Sequence, residues 1–182
     1  MRGIVLAAAG VAISCFLSAC SSMSGSDQYS SNKPQRTQEN VDYAARMPSQ
    51  IASRGEKVII VNPRVHAWGA YDGSGQLVKG GVATAGSDWC SDIHRRCHTR
   101  VGSFRINSLG SEGCKSHIFP LPHGGAPMPY CMYFNGGQAL HGSYEVVDGN
   151  ISHGCVRLHV ADAEWIRFNF ARVGTKVVVQ SY

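Results

Sequence analysis

The apolar positions of this chain fall in short runs cut by Gly, Pro, Asn and Asp, which is a strand pattern rather than a helical one. Residues 57–61, Lys-Val-Ile-Ile-Val, predict a strand buried on both faces, and Asn62-Pro63-Arg64 predicts the turn that ends it. Residues 65–71 read as a second strand, Asp72-Gly73-Ser74-Gly75 as the next turn, and residues 76–85 as a returning third. Strand, turn and strand at this spacing predict an antiparallel sheet closing as a sandwich or barrel. Residues 86–100 are irregular. Residues 125–134 form a proline-stiffened extended approach that runs into a strand ending at Gly136-Gly137, and residues 138–142 form another strand. Only residues 161–173 carry a helical period. Trp165, Ile166, Asn169, Phe170 and Val173 share one face, Asp162 and Glu164 lie in the first turn, Arg172 lies in the last, and Gly174 is the stop. Residues 175–179 close the sheet. The fold class is therefore mainly β, a two-sheet sandwich or barrel-like domain with one C-terminal amphipathic helix.

The first 54 residues do not share this pattern. Ile4 to Leu17 form an apolar run too short to span a bilayer, after a minimal positive start at Arg2. It ends Leu17-Ser18-Ala19-Cys20, followed by Ser21-Ser22. This resembles a bacterial lipobox, so the expectation is a signal peptide over residues 1–19 and lipidation of Cys20. Ser21, by resemblance to Gram-negative lipoproteins, points to sorting to the outer membrane. Residues 20–54 are rich in Ser, Gln and Asn and read as a flexible tether, and residues 55–182 as the folded domain.

Composition adds limits. Of the 182 residues 43% are hydrophobic and 16% charged, which describes a globular chain, and 21 glycines fit many turns. The formal charge of +5 is a mild excess that suits an anionic surface such as a cell wall. No basic run is long enough to argue for nucleic-acid binding.

The chemistry gathers in Leu140-His141-Gly142 and Ser152-His153-Gly154-Cys155-Val156-Arg157-Leu158. A thiol becomes a strong nucleophile when an imidazole takes its proton. Between His141 and Cys155 there is enough chain for a strand to run out, turn at Val147-Asp148-Gly149-Asn150 and return beside itself. A histidine, a spacer of this length, and then Ser/Thr-His-Gly-Cys with an apolar residue and Arg or Asn resembles the signature of the YkuD-type L,D-transpeptidases. The resemblance covers roughly residues 55–180. It also takes in residues 99–106, where Arg100 stands in place of a usual proline and predicts a looser loop entry. Residues 125–134 share it too.

The resemblance implies a peptidoglycan enzyme that needs no cofactor. Cys155 would attack a tetrapeptide stem and expel D-alanine. His141 would be the base, oriented by the Gly142 carbonyl, and His153 would line the site. The N–H groups of Gly154 and Cys155 would form the oxyanion hole, Ser152 and Tyr130 would bind substrate, and Arg157 would either hold a substrate carboxylate or serve as a structural strut. An amine of another stem, a lysine of an outer-membrane lipoprotein, or water would resolve the thioester, and carbapenems would acylate Cys155. A wall-binding lipoprotein with a decayed site is the alternative. A papain-like peptidase is excluded, because there the cysteine precedes the histidine.

Four further cysteines, Cys90, Cys97, Cys114 and Cys131, form an even set, which in an exported chain implies two disulfides. Three pairings are possible. Cys90–Cys97 with Cys114–Cys131 is favoured, because the first would pin one loop and the second would tie a loop to the strand entering the site. The competing reading is zinc held by Cys90, His94, Cys97 and His98, although this spacing matches no common zinc module. His66, His117 and His123 read as surface or loop residues.

Overall fold

A computed structural model describes residues 41–182; the expected leader, Cys20 and the tether as far as residue 40 lie outside the described residues. The domain consists of two sheets and one short helix. The first sheet contains β1 (Val58–Asn62), β2 (Ala67–Tyr71), β3 (Leu77–Val82), β4 (Gly102–Arg105) and β9 (Lys176–Val179), in the order β3-β2-β1-β9-β4. The second contains β5 (Ser108–Leu109), β6 (Met132–Asn135), β7 (Gln138–Ser143) and β8 (Val156–His159), in that order. This is the mainly β, two-sheet architecture with a C-terminal helix that the pattern predicts.

The sheets are mixed rather than purely antiparallel. β1 pairs with β9 in parallel, and β7 pairs with β8 in parallel. The segment after His141 therefore crosses over instead of folding back, as parallel neighbours require. Residues 144–155 make that crossover without a helix.

The main core lies between the sheets. Ile59, Val61 and Trp68 of the first sheet meet Phe134, Leu140, Val156 and Leu158 of the second, all 0–3% exposed. Helix α1 (Val160–Trp165) follows β8 directly and continues as a π-helical turn over Ile166–Phe170. Its buried positions are Ala163, Ile166 and Phe170, whereas Asn169 and Val173 lie outside. Ile166 and Phe170 are buried and Trp165 packs at the core's margin, as the period predicts, while the helix ends at Phe170, where Ala171 turns extended, and leaves Val173 outside. His159, with no side-chain cap, precedes the first turn; Asp162 there pairs with Lys79 at 2.9 Å.

The first sheet is covered on its other face as well. Tyr43, Met47 and Ile51 pack on Val58, Ala67, Tyr71 and Leu77, with Met47 only 5% exposed. A 3₁₀ turn over Ala44–Arg46 leads into this strap. The Tyr71 hydroxyl donates to Pro48 O at 2.9 Å, and the Ile51 N–H donates to Gly75 O at 2.9 Å. Residues 41–54, expected to belong to the tether, therefore include a packed part of the domain. This is why β1 is apolar at every position from Val58 to Val61: it has a core on each side.

Candidate active site

The sheet register positions the site. In β7 and β8, Leu140 lies opposite Val156 and His141 opposite Arg157. Partners in a parallel pair project to the same face, and neighbours along a strand alternate. Leu140, Val156 and Leu158 enter the core, so His141, Arg157 and, two residues before it, Cys155 face the other way. That face opens on a cleft of about 480 Å³ whose walls include His141, Cys155 and Arg157. Phe119, Met128 and Tyr133 supply apolar wall, and Arg95, His153 and Glu145 supply charge.

His141 is 5% exposed, and its Nδ1–H donates to the Gly142 carbonyl at 2.8 Å. That bond fixes the tautomer and leaves Nε2 as a proton acceptor. Burial pulls the ring down to a pKa of about 4. The Gly142 carbonyl opposes the shift, and the Arg157 charge adds to it. Cys155 is a free thiol, directed at Gly137 O at 3.7 Å. Burial pushes the thiol above its ordinary value, while the Ala139 N–H and Arg157 pull it back. At neutral pH the pair therefore rests as thiol and neutral imidazole rather than as a preformed thiolate–imidazolium pair.

The loop before Cys155 is built to hold it. Gly154 has φ +116°, a left-handed conformation natural only to glycine. Ser152 is buried, and its hydroxyl donates to the Cys155 carbonyl and accepts from the Gly154 N–H. Ser152 thus braces the nucleophile's backbone; it was expected to bind substrate, but its hydroxyl is already engaged. Of the two expected oxyanion donors, the Gly154 N–H is consumed in this brace, which leaves the Cys155 N–H. The backbone of Arg157 pairs with Thr84, and its guanidinium holds Glu145 at 3.1 Å.

Tyr130, also expected to bind substrate, is absent from the cleft wall. Its hydroxyl donates to Glu164 at 3.2 Å and its ring meets Phe168 edge-on at 5.7 Å, so it fastens helix α1. A φ of 58° turns the chain at this position.

Cys90 is bonded to Cys97, and Cys114 to Cys131. Cys90 and Cys97 therefore offer no thiolate to a metal, and His98 is engaged by Asp88 and stacked on Tyr182 at 4.4 Å. The reading of Cys90, His94, Cys97 and His98 as a zinc set is corrected accordingly. Cys114–Cys131 closes the base of the segment that supplies Ser116, Phe119 and Met128 to the cleft.

Sequence reasoning missed Gln138 and Asp92. Gln138 donates to His98 O at 3.0 Å and accepts from the Arg100 N–H at 3.0 Å, packing behind Gly154. Arg100 thus uses the N–H that a proline would lack, and the loop entry is tied rather than loosened. Asp92 accepts from His153 Nε2 at 2.8 Å, across 61 residues of sequence.

The family model that matches the chain is YkuD, the L,D-transpeptidase catalytic domain, over residues 56–179. The chain belongs to this family. Among solved structures it is similar to an L,D-transpeptidase of Xylanimonas cellulosilytica, with 26% identity, TM-score 0.63, and coverage of 75% of this chain and 66% of that one. It is similar in fold to an L,D-transpeptidase from Mycobacterium smegmatis (20% identity, TM-score 0.56, 69% and 59% covered). It is likewise similar in fold to L,D-transpeptidase 3 of Mycobacterium tuberculosis in complex with a faropenem-derived adduct (22% identity, TM-score 0.54, 69% and 60% covered). The chain spans less than two thirds of the length of each of these structures. No curated protein matches it by sequence.

Proposed function

We propose that this chain is a peptidoglycan L,D-transpeptidase that works through a Cys155 thioester. The observation that carries the reading is the placement of His141 on β7 and of Cys155 immediately before the parallel neighbour β8, both opening on one cleft. Cys155 Sγ attacks the carbonyl of the third residue of a tetrapeptide stem, and the thiol proton passes to His141 Nε2 as the C–S bond forms. The Cys155 N–H receives the oxyanion. His141 returns the proton to the departing amine, D-alanine leaves, and a thioester remains. An acceptor amine then attacks the thioester and gives its proton to His141, and the thiol is restored. Because the pair rests neutral, His141 acts as a general base during the attack.

Arg95 and Arg157 on the cleft wall suit the carboxylates of a stem peptide, with Arg157 reading one of them in place of Glu145. A second stem as acceptor gives a 3–3 cross-link, a lipoprotein lysine gives tethering, and water gives hydrolysis. The lipobox-like Leu17-Ser18-Ala19-Cys20 supports an anchored envelope lipoprotein, sorted by Ser21 to the outer membrane. Cys20→Ala is expected to move the protein from the membrane to the soluble fraction of a host that processes lipoproteins; retention in the membrane would contradict anchoring. For the chemistry, Cys155→Ala is expected to abolish both cross-link formation and β-lactam adduct formation, with the fold intact by circular dichroism. Full activity in that variant would end the proposal.

A further inference from the structure

The cleft wall contains a second histidine that the steps above leave without a task. His153 is held at two points. Its Nε2–H donates to Asp92 Oδ2 at 2.8 Å, and its ring lies against Phe119 with centroids 4.5 Å apart. His153 and Phe119 both line the cleft, and Asp92 does not. With Nε2 taken, Nδ1 is the ring atom left to a bound substrate.

Asp92 is delivered by an unusually closed turn. Cys90 and Cys97 are bonded, and inside that bond the Cys90 N–H donates to Arg95 O at 2.9 Å. The turn is seated directly under the nucleophile's strand. The Ser87 N–H donates to Ser152 O at 2.9 Å, and the Cys97 N–H donates to Ser87 O at 3.2 Å. The loop, exposed at Asp92 but buried at both cysteines, is thus cross-linked and pinned one residue away from His153. The ion pair itself adds little to stability, since Asp92 is 58% exposed. The cross-link fixes the backbone on both sides of Asp92 and so holds its carboxylate at the His153 ring. His153 in turn holds the Asp92 carboxyl below the usual carboxylate range.

We propose that Asp92 is a positioning residue for His153, that the Cys90–Cys97 bond presents it, and that His153 so held turns Nδ1 as an acceptor toward an N–H group of the stem peptide in the cleft. The proposal deepens the transpeptidase reading and, for its kinetic consequence, rests on it. His153 forms no covalent bond and passes no electron. It offers one acceptor, on the same cleft wall as His141, to an N–H group of the stem.

The test uses the full chain with Asp92→Ala, Asp92→Asn, Asp92→Glu and the double variant Cys90→Ser/Cys97→Ser. Nitrogen-15 NMR of the His153 ring reports the contact independently of activity. The protonated Nε2 signal is expected to shift in Asp92→Ala and to remain in Asp92→Glu. Turnover of a tetrapeptide donor is expected to fall about tenfold in kcat in Asp92→Ala, the size of one charge-assisted hydrogen bond, with KM and melting temperature close to the parent. Asp92→Asn, which keeps an acceptor without charge, is expected to lie between the two. In the disulfide-free background, Asp92→Ala is expected to add little further loss. Should that background fail to fold, the Ala, Asn and Glu series decides. A His153 signal and kcat unchanged in Asp92→Ala would overturn the proposal, and so would an equal loss in the folded disulfide-free background. If the ring signal shifts but the parent forms no Cys155 adduct, the transpeptidase reading fails while the Asp92 contact stands.

Discussion

His141 differs from the chain's exposed histidines through burial. With its pKa lowered to about 4 by burial, it stays a free base wherever the enzyme meets neutral solution. Two consequences follow at the residue scale. The rate of Cys155 acylation is expected to fall on acidification only as pH nears about 4, where the ring takes a proton and can no longer accept one from the thiol. A stopped-flow pH profile with a carbapenem checks this, and an acid limb near the ordinary histidine value would contradict it. The second consequence is for stability. The unfolded chain protonates this ring near 6.5 and the folded chain near 4, so between those values the unfolded state binds more protons. Stability is full above 6.5 and falls as pH drops toward 4, by roughly 3 kcal/mol from this one group. Urea unfolding at pH 7 and pH 4.5, compared between the parent and His141→Gln, isolates the effect, because the variant lacks the titrating ring. The site's residue types were legible in the sequence because a nucleophile, a base and a flanking glycine sit within one short span. The neutral resting state was not, because it depends on burial that no local pattern encodes.

At the scale of the element, Arg100 decides between two readings. The missing proline predicts a loose loop, yet the N–H that a proline would remove donates to Gln138, which also holds His98 and backs Gly154. Arg100→Pro is therefore expected to destabilise the protein by about 1 kcal/mol, the net worth of one hydrogen bond, and to slow acylation. A higher melting temperature would show that the φ lock wins instead. Strand positions were legible from apolar runs and turn residues. The parallel pairing of β7 with β8 was not, since a run such as residues 156–159 reads the same in either direction. The helix was legible in place and, at Ile166 and Phe170, in face; its end was not, because Ala171 turns extended three residues before Gly174.

At the scale of the whole molecule, the two sheets share one core, and the strap over residues 41–51 adds a second core on the outer face of the first sheet. The strap also reaches the crossover that precedes the nucleophile. Arg46 grips both oxygens of Asp148 at 3.0 Å, and Asp148 belongs to the crossover between His141 and Cys155. This segment looked like tether because its apolar residues, Tyr43, Met47 and Ile51, are sparse and set among polar ones. Met47→Ala is expected to cost about 2–3 kcal/mol, as a buried methionine does and a tether residue does not; a neutral effect in thermal melts would return the strap to the tether. The account as a whole stands on acyl transfer through one sulfur. The most direct measurement is to incubate the protein with a tetrapeptide stem, quench it in acid, and map the covalent adduct by mass spectrometry while D-alanine is assayed. The account predicts a thioester at Cys155, one equivalent of D-alanine released with it, and neither in Cys155→Ala. D-alanine release with Cys155 unmodified, or with the variant still active, would contradict it.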